Sequence, residues 1–268
     1  MAITSVSDIA AAISAAQRMR FIKNITAPKA IGSFQSSWGA TGNPGAGSVP
    51  PAYTAGSGYT VDRTNAGALG QANGAVQNWL ARLQAACSQP GVLFLADRLW
   101  HCGGMGFAIS TYTVTTPGNL PARITDSGVG CELWCEIPQS GAAGAASGTL
   151  TCVYVNTVPT GSRSGVIAAV VSAPAAGQMQ NVPLQAGDLG ISQLTSVANS
   201  ATWTSGAWGM TILKTYAQIE IPVAGFGQTQ DWSKVLAKIP ADACLFFYFL
   251  ANNTTAPVAL GTVWVIDK

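Results

Sequence analysis

Charge is what this sequence has least of. Asp, Glu, Lys and Arg make up 9% of the 268 residues, against roughly 25% in ordinary soluble domains. The net charge is +2 and no long block of one sign occurs, so the electrostatic footprint of a dedicated nucleic-acid binder is missing. Histidine is nearly absent, His101 being the only one. That removes multi-histidine metal clusters and makes any Ser-His-Asp arrangement depend on a single residue. Long apolar runs are missing too. The longest, 243–251, falls well short of the roughly 20 residues that span a bilayer. Asp8 and the small residues around it break up the start of the chain, so no secretory signal and no membrane association are expected.

What fills the chain instead is apolar or small and neutral, with hydrophobic residues at 48%. A folded chain of this mass exposes roughly 11,000 Å². Its 13 Lys and Arg and 11 Asp and Glu side chains then average about one per 450 Å², fewer than free-standing soluble surfaces carry. Either the surface is built from neutral Ser, Thr, Asn, Gln and Gly, or much of it is hidden against neighbouring subunits. Some of both is expected, and the second points to assembly as a homo-oligomer.

The cysteines stand at 87, 102, 131, 135, 152 and 244. In Cys131-Glu132-Leu133-Trp134-Cys135, read as a strand, the two thiols share a face about 13 Å apart, too far to bridge. Cys152 alternates with Leu150 and Tyr154, and Cys244 opens an apolar run, so both read as small buried hydrophobes. Free thiols suit folding in a reducing cytosol.

Periodicity predicts a helix over 5–23, with Ile9, Ile13 and Ala16 on one face and Ser5 and Asp8 forming a capping box. The cations Arg18, Arg20, Lys23 and Lys29 then complement its carbonyl end. From 26 to 74 the composition turns to Gly, Pro, Ser, Ala and Thr, and the aromatic residues Trp38, Tyr53 and Tyr59 argue for an extended arm ordered by contacts with a partner. A second helix is predicted over 75–87 from Val76, Leu80 and Leu83.

Strands are predicted beyond it at 92–95, 99–101, 111–115, 131–137, 150–156, 165–172, 192–198, 208–214, 217–223, 244–250 and 258–266. Turn-rich breaks at 116–119, 141–144 and 186–188 separate them. The run 244–250 is apolar on both faces and reads as a covered central strand, and 231–238 reads as a short helix. The expected fold is mainly β, an antiparallel sandwich or jelly-roll-like body over 75–268, with an N-terminal helix and long extended arm over 1–74.

Several segments carry a likeness. Leu80-Ala81-Arg82-Leu83, Leu95-Ala96-Asp97-Arg98-Leu99-Trp100-His101, Leu120-Pro121-Ala122-Arg123, Glu132-Leu133-Trp134, Pro183-Leu184-Gln185-Ala186-Gly187-Asp188 and Ala243-Cys244-Leu245 together resemble a family of tailed-phage virion structural proteins. The opening Met1-Ala2-Ile3-Thr4-Ser5, followed by an acidic, alanine-containing helix, resembles the start of such proteins, and the likeness runs from end to end. It implies a capsid-associated role, such as a head decoration or cement protein assembled in the host cytoplasm. The implied partners are the major capsid protein and copies of the chain itself. The resemblance brings no catalytic residue, cofactor or metal.

Candidate chemistry is sparse. Asp97 lies four residues before His101, but no Gly-x-Ser-x-Gly elbow supplies a nucleophile, and a satisfied strand-edge histidine is the expected role. Glu132 and Glu136 share a strand face about 13 Å apart, outside the roughly 5–9.5 Å used for glycoside cleavage, and read as solvated or interface charges. Gly103-Gly104-Met105-Gly106 lacks the Lys and Ser/Thr of a phosphate loop and reads as a turn. Trp203 and Trp208 flank a hairpin tip at 204–206. With Trp38, Tyr53 and Tyr59 they are the candidate interface residues.

The expected function is thus to join or cover capsid subunits, without catalysis. The alternatives are a major capsid or tail subunit and a carbohydrate-binding module for host adsorption.

Overall fold

Alternation of buried and less buried residues with a period of two selects strands over 17–24 and 150–156, whereas 91–106 and 245–251 carry runs of consecutive buried residues, as strands covered on both faces do. The computed structural model describes residues 6–51, 59–71, 78–106, 110–114, 120–138, 148–157, 162–168, 175–200, 206–235 and 237–267. One helix, α1 (Val6–Ser14), precedes β1 (Gln17–Asn24), β2 (Phe34–Ser36), β3 (Thr41–Asn43), β4 (Tyr59–Thr60), β5 (Asn78–Cys87), β6 (Gly91–Gly106), β7 (Ser110–Thr113), β8 (Cys131–Glu136) and β9 (Leu150–Asn156). Then follow β10 (Ser162–Ile167), β11 (Gln178–Asn181), β12 (Ile191–Asn199), β13 (Ala207–Ile221), β14 (Gln228–Asp231), α2 (Trp232–Val235), β15 (Lys238–Ile239), β16 (Leu245–Ala251) and β17 (Val258–Asp267). The protein is mainly β, as expected, with antiparallel sheets packed in a sandwich-like arrangement.

The central sheet runs β13-β8-β11-β2-β16-β6-β4, and β13 also pairs with β6. That extra pairing joins the sheet's two sides, so β13, β8, β11, β2, β16 and β6 form a closed antiparallel ring. Closure leaves these strands without open edges. A six-stranded sheet, β14-β5-β17-β1-β3 with β15 beside β5, covers one flank, and a four-stranded sheet, β10-β9-β12-β7, belongs to the other.

The long strands β6 and β13 serve both flanks. Leu93 and Leu95 of β6, with Ala217, Ile219 and Ile221 of β13, pack with Met19, Phe21, Leu80, Leu83, Val263 and Val265 of the six-stranded sheet. Farther along, Leu99, Trp100, Cys102 and Met105, with Met210 and Ile212, pack with Leu150, Cys152, Tyr154, Leu194 and Val197 of the four-stranded sheet. Register shifts at Trp208/Met210, Ile212/Leu213 and Thr215/Ala217 adjust β13 along the way; bulges of this kind bend and twist a strand. The expected strands 92–95 and 99–101 are therefore one element, as are 208–214 and 217–223. Gly209 permits a close crossing, because a side chain there collides with the Cys102 carbonyl.

Two helix expectations are corrected. Over 5–23 the helix ends at Ser14, and 17–24 is β1. Met19, Phe21 and Lys23 point inward while Arg18, Arg20, Ile22 and Asn24 are exposed, a period-two pattern. Lys23 does not cap a helix: its buried ammonium donates to the carbonyls of Ala40, Pro44 and Gly45 at 3.1, 3.0 and 3.1 Å. Burial lowers its pKa to about 8.

The described part of 75–87 is β5, not a helix. Its pairing with β17 slips between Trp264 and Val265, opposite Arg82 and Leu80, so Ala81 is a bulge. One extra residue places Leu80 and Leu83 on the same core face, three apart, and this spacing imitates a helix.

Over its described residues, 26–74 lies on its own body. β2 sits inside the ring between β11 and β16, and Trp38, Val61 and Leu69 are buried. β1 and β2 thus both pair with strands from 75–268. Gly103 to Gly106, read as a turn, is the end of β6. The breaks at 116–119 and 141–144 lie outside the described residues.

Candidate functional site

A closed ring has an inside, and alternation decides what fills it. β8 turns Glu132, Trp134 and Glu136 inward, β13 turns Thr211, Leu213 and Thr215, and β16 turns Phe246 and Tyr248. The two carboxylates share a strand face as the sequence implied, but they occupy different ends of the ring and neither is a freely solvated charge.

At one end polar groups are buried and most are paired, while Arg98 Nη1 and His101 Nε2 have no hydrogen-bond partner among the described residues. Arg98 forms an ion pair with Glu136, and both side chains are withdrawn from solvent. The guanidinium also donates to Thr211 Oγ1 at 3.0 Å and to His101 Nδ1 at 2.9 Å. It lies 4.8 Å from the Trp38 ring centre and 5.5 Å from that of Phe246, so aromatic faces share its charge. Burial works to raise the Glu136 pKa, but the Arg98 charge and hydrogen bonds from Arg98, Thr211 and Ser36 hold it below the usual value. Burial, and then the Arg98 charge, push His101 down to about 2. The imidazole is neutral and accepts at Nδ1.

Asp97 faces away from this knot. It receives Arg123 Nε at 2.8 Å, Arg123 Nη2 at 3.0 Å and the Cys244 amide at 2.8 Å. Arg123 Nη2 also donates to the carbonyls of Val61 and Arg98. Asp97 and His101 therefore have separate partners, and the pair forms no acid-base relay. Segments around 61, 97, 123 and 244 are tied together instead.

The opposite end is hollow. A cavity of about 530 Å³ is lined by Phe34, Phe94, Trp134 and Tyr248, together with Glu132, Thr215, Gln218 and Asn181. Phe94 stacks on Tyr248 at 4.5 Å, and Trp134 meets Phe34 at 4.9 Å and Tyr248 at 5.4 Å. Glu132 is fixed by the Trp134 indole at 3.0 Å and the Thr215 hydroxyl at 2.9 Å. Burial raises its pKa against the pull of those two donors. Among the described residues it has no ion-pair partner. Sequence reasoning put Glu132 and Trp134 on one strand, but Phe34, Phe94, Thr215 and Tyr248 come from four other strands and meet only through ring closure.

The expected interface residues divide. Trp38 and Trp208 are each 2% exposed, so their rings are enclosed by their own chain. Trp208 donates to the Gly106 carbonyl at 3.1 Å and meets Tyr112 edge-on. Tyr59 is 47% exposed and stacks over His101 at 5.9 Å. Tyr53 and Trp203 lie outside the described residues.

All six cysteines are free and buried, as read for Cys152 and Cys244. Burial pushes the thiols of Cys102, Cys131 and Cys152 up to about 12, which keeps them protonated and unreactive. Among the described residues no cluster of His, Cys, Asp or Glu is placed to hold a metal ion. No helix among them is long and apolar enough to cross a membrane. Compared with known family models, curated proteins and solved structures, the chain finds no match.

Proposed function

We propose that this chain is a structural subunit of a tailed-phage particle, of the head decoration or cement kind, binding over the major capsid protein and stabilising the shell through subunit contacts. The observation that carries this reading is the scarcity of surface charge. Lys23, Asp97, Arg98, Arg123 and Glu136 lie inside the fold, leaving at most nineteen charged side chains for 11,184 Å². That is about one per 590 Å², well below the density of ordinary soluble surfaces. Apolar side chains such as Ile31 (68% exposed), Leu189 (66%) and Phe226 (65%) stand in their place. Burying several hundred Å² of such surface is worth roughly 25 cal/mol per Å², and repetition over a shell adds avidity.

The resemblance supports the same reading. Asp97, Arg98, Arg123, Trp134 and Cys244, which belong to the resembling segments, build the buried knots and the ring. Its support therefore concerns the scaffold, which a major capsid or tail subunit would share.

The test adds purified full-length chain to isolated phage shells and follows it by sedimentation and cryo-EM. Saturable binding with regular extra density is the expected result. A compact monomer that binds no virion component overturns the proposal.

A second reading, a carbohydrate-binding module, draws on the aromatic walls and the polar Asn181, Gln218 and Glu132 of the open cavity. A glycan array with the purified chain tests it.

A further inference from the structure

Glu132 is costly where it stands. A half-buried carboxylate loses hydration, and two neutral donors restore only part of it. Other carboxylates inside this protein are matched by an arginine, Glu136 by Arg98 and Asp97 by Arg123. Glu132 has no such partner among the described residues. Among the described residues the cavity lining contains no Lys or Arg.

Around this charge stand four aromatic rings, and ring faces attract cations. A neutral sugar hydroxyl can donate to the carboxylate but cannot neutralise it. An ammonium or guanidinium group does both.

The surface continues beyond the cavity. Val92, Glu220 and Leu250 lie two residues past Phe94, Gln218 and Tyr248 on the same paired strands, with an unbroken register. They line a second hollow of about 320 Å³ with Ile31, Ile221 and Pro222, again without a basic residue among the described ones. Side chains two apart on an extended chain are separated by roughly 7 Å, the same two-residue step that separates Phe94, Gln218 and Tyr248 from Val92, Glu220 and Leu250.

We propose that the open end of the ring receives an extended segment of a partner polypeptide, which places a Lys or Arg side chain beside Glu132 within the aromatic walls and an apolar side chain, two residues away, in the hollow of Ile31, Val92 and Leu250. Only the source of that segment rests on the reading of the chain as an assembly subunit. The preference of the cavity for a cation stands apart from it and is tested apart.

The probe is the peptide Ac-Lys-Ser-Leu-NH2, compared with Ac-Nle-Ser-Leu-NH2, which lacks the charge, and with neutral oligosaccharides. The full-length chain is labelled with nitrogen-15, and the Trp134 indole signal is followed because that group donates to Glu132. Saturable binding of the lysine peptide is expected, weakened at least about tenfold by the norleucine replacement and by Glu132→Gln. Phe94→Leu, which keeps the Glu132 contacts, weakens it severalfold. Equal binding of the two peptides, indifference to Glu132→Gln in a folded variant, absence of a saturable shift, or a preference for the oligosaccharides overturns the inference. Failure of the chain to bind phage shells, with peptide selectivity intact, overturns only the assembly reading.

Discussion

The two ends of the ring handle a buried carboxylate in opposite ways. At the closed end Glu136 meets Arg98, Thr211 and Ser36 and its pKa falls. At the open end Glu132, four residues along the same strand, meets only Trp134 and Thr215 and its pKa rises. Strand, face and residue type are shared, so the difference comes from what the neighbouring strands bring. A matched charge is structural, whereas an unmatched one at the wall of a cavity is available to a ligand.

The largest effects belong to the closed end. Arg98→Met strands Glu136 without its cation, and a loss of about 3–5 kcal/mol is expected in denaturant unfolding. Adding Glu136→Gln should recover more than half of it, since the uncompensated charge is then gone. Trp38→Ala, which removes a ring over Arg98 and tests whether 26–74 is integral to the body, is expected to cost about 3–5 kcal/mol. A loss below about 1 kcal/mol from either single change breaks the contrast between the ends.

Acid sharpens it. The folded His101 pKa lies far below its unfolded value of 6.5, so the unfolded chain takes up a proton that the folded chain refuses. The stability from neutral His101 is full above pH 6.5 and is lost as pH falls from there toward about 2, at about 1.4 kcal/mol per pH unit. The difference in unfolding free energy between the chain and His101→Gln from pH 7 to pH 4 measures this slope, because Asp97, whose burial raises its pKa to about 6, contributes with the opposite sign over that range. Nitrogen-15 spectra should show no titration of His101 there.

At the open end the sign reverses. Because the Glu132 pKa is raised, its charge opposes folding at neutral pH and the penalty fades as pH falls through the folded value. Glu132→Gln should therefore raise the melting temperature by about 1–3 °C at pH 7, with a smaller gain near pH 4. A lower melting temperature at pH 7 would show that the carboxylate supports the fold. The smallest effect is expected from Tyr59→Ala. That ring is half-exposed over His101, and its loss should cost less than about 1 kcal/mol in the same unfolding experiment.

Strands with clean alternation were legible from the chain alone: 150–156 coincides with β9, and 258–266 nearly fills β17. Legibility failed where one residue changed the period. The bulge at Ala81 gave β5 a helical spacing, and the residues after Ser14 were read as more of α1 because Arg18, Arg20 and Lys23 suit a helix end as well as a strand. The short strands β2, β3 and β4 carry too few residues to show a period, so 26–51 and 59–71 read as an arm although their described residues pack on the body. Of the open cavity, only Glu132 and Trp134 were visible as neighbours, two apart on one face.

Composition and local period, which are properties of the chain taken a few residues at a time, determined that this protein is mainly β, poor in charge and furnished with free, buried thiols. Ring closure, the fate of each carboxylate and the meeting of Phe34, Phe94, Trp134 and Tyr248 were decided only by tertiary structure. They depend on which distant strands pair and in what register, and a single step of register turns every side chain of a strand to the other face.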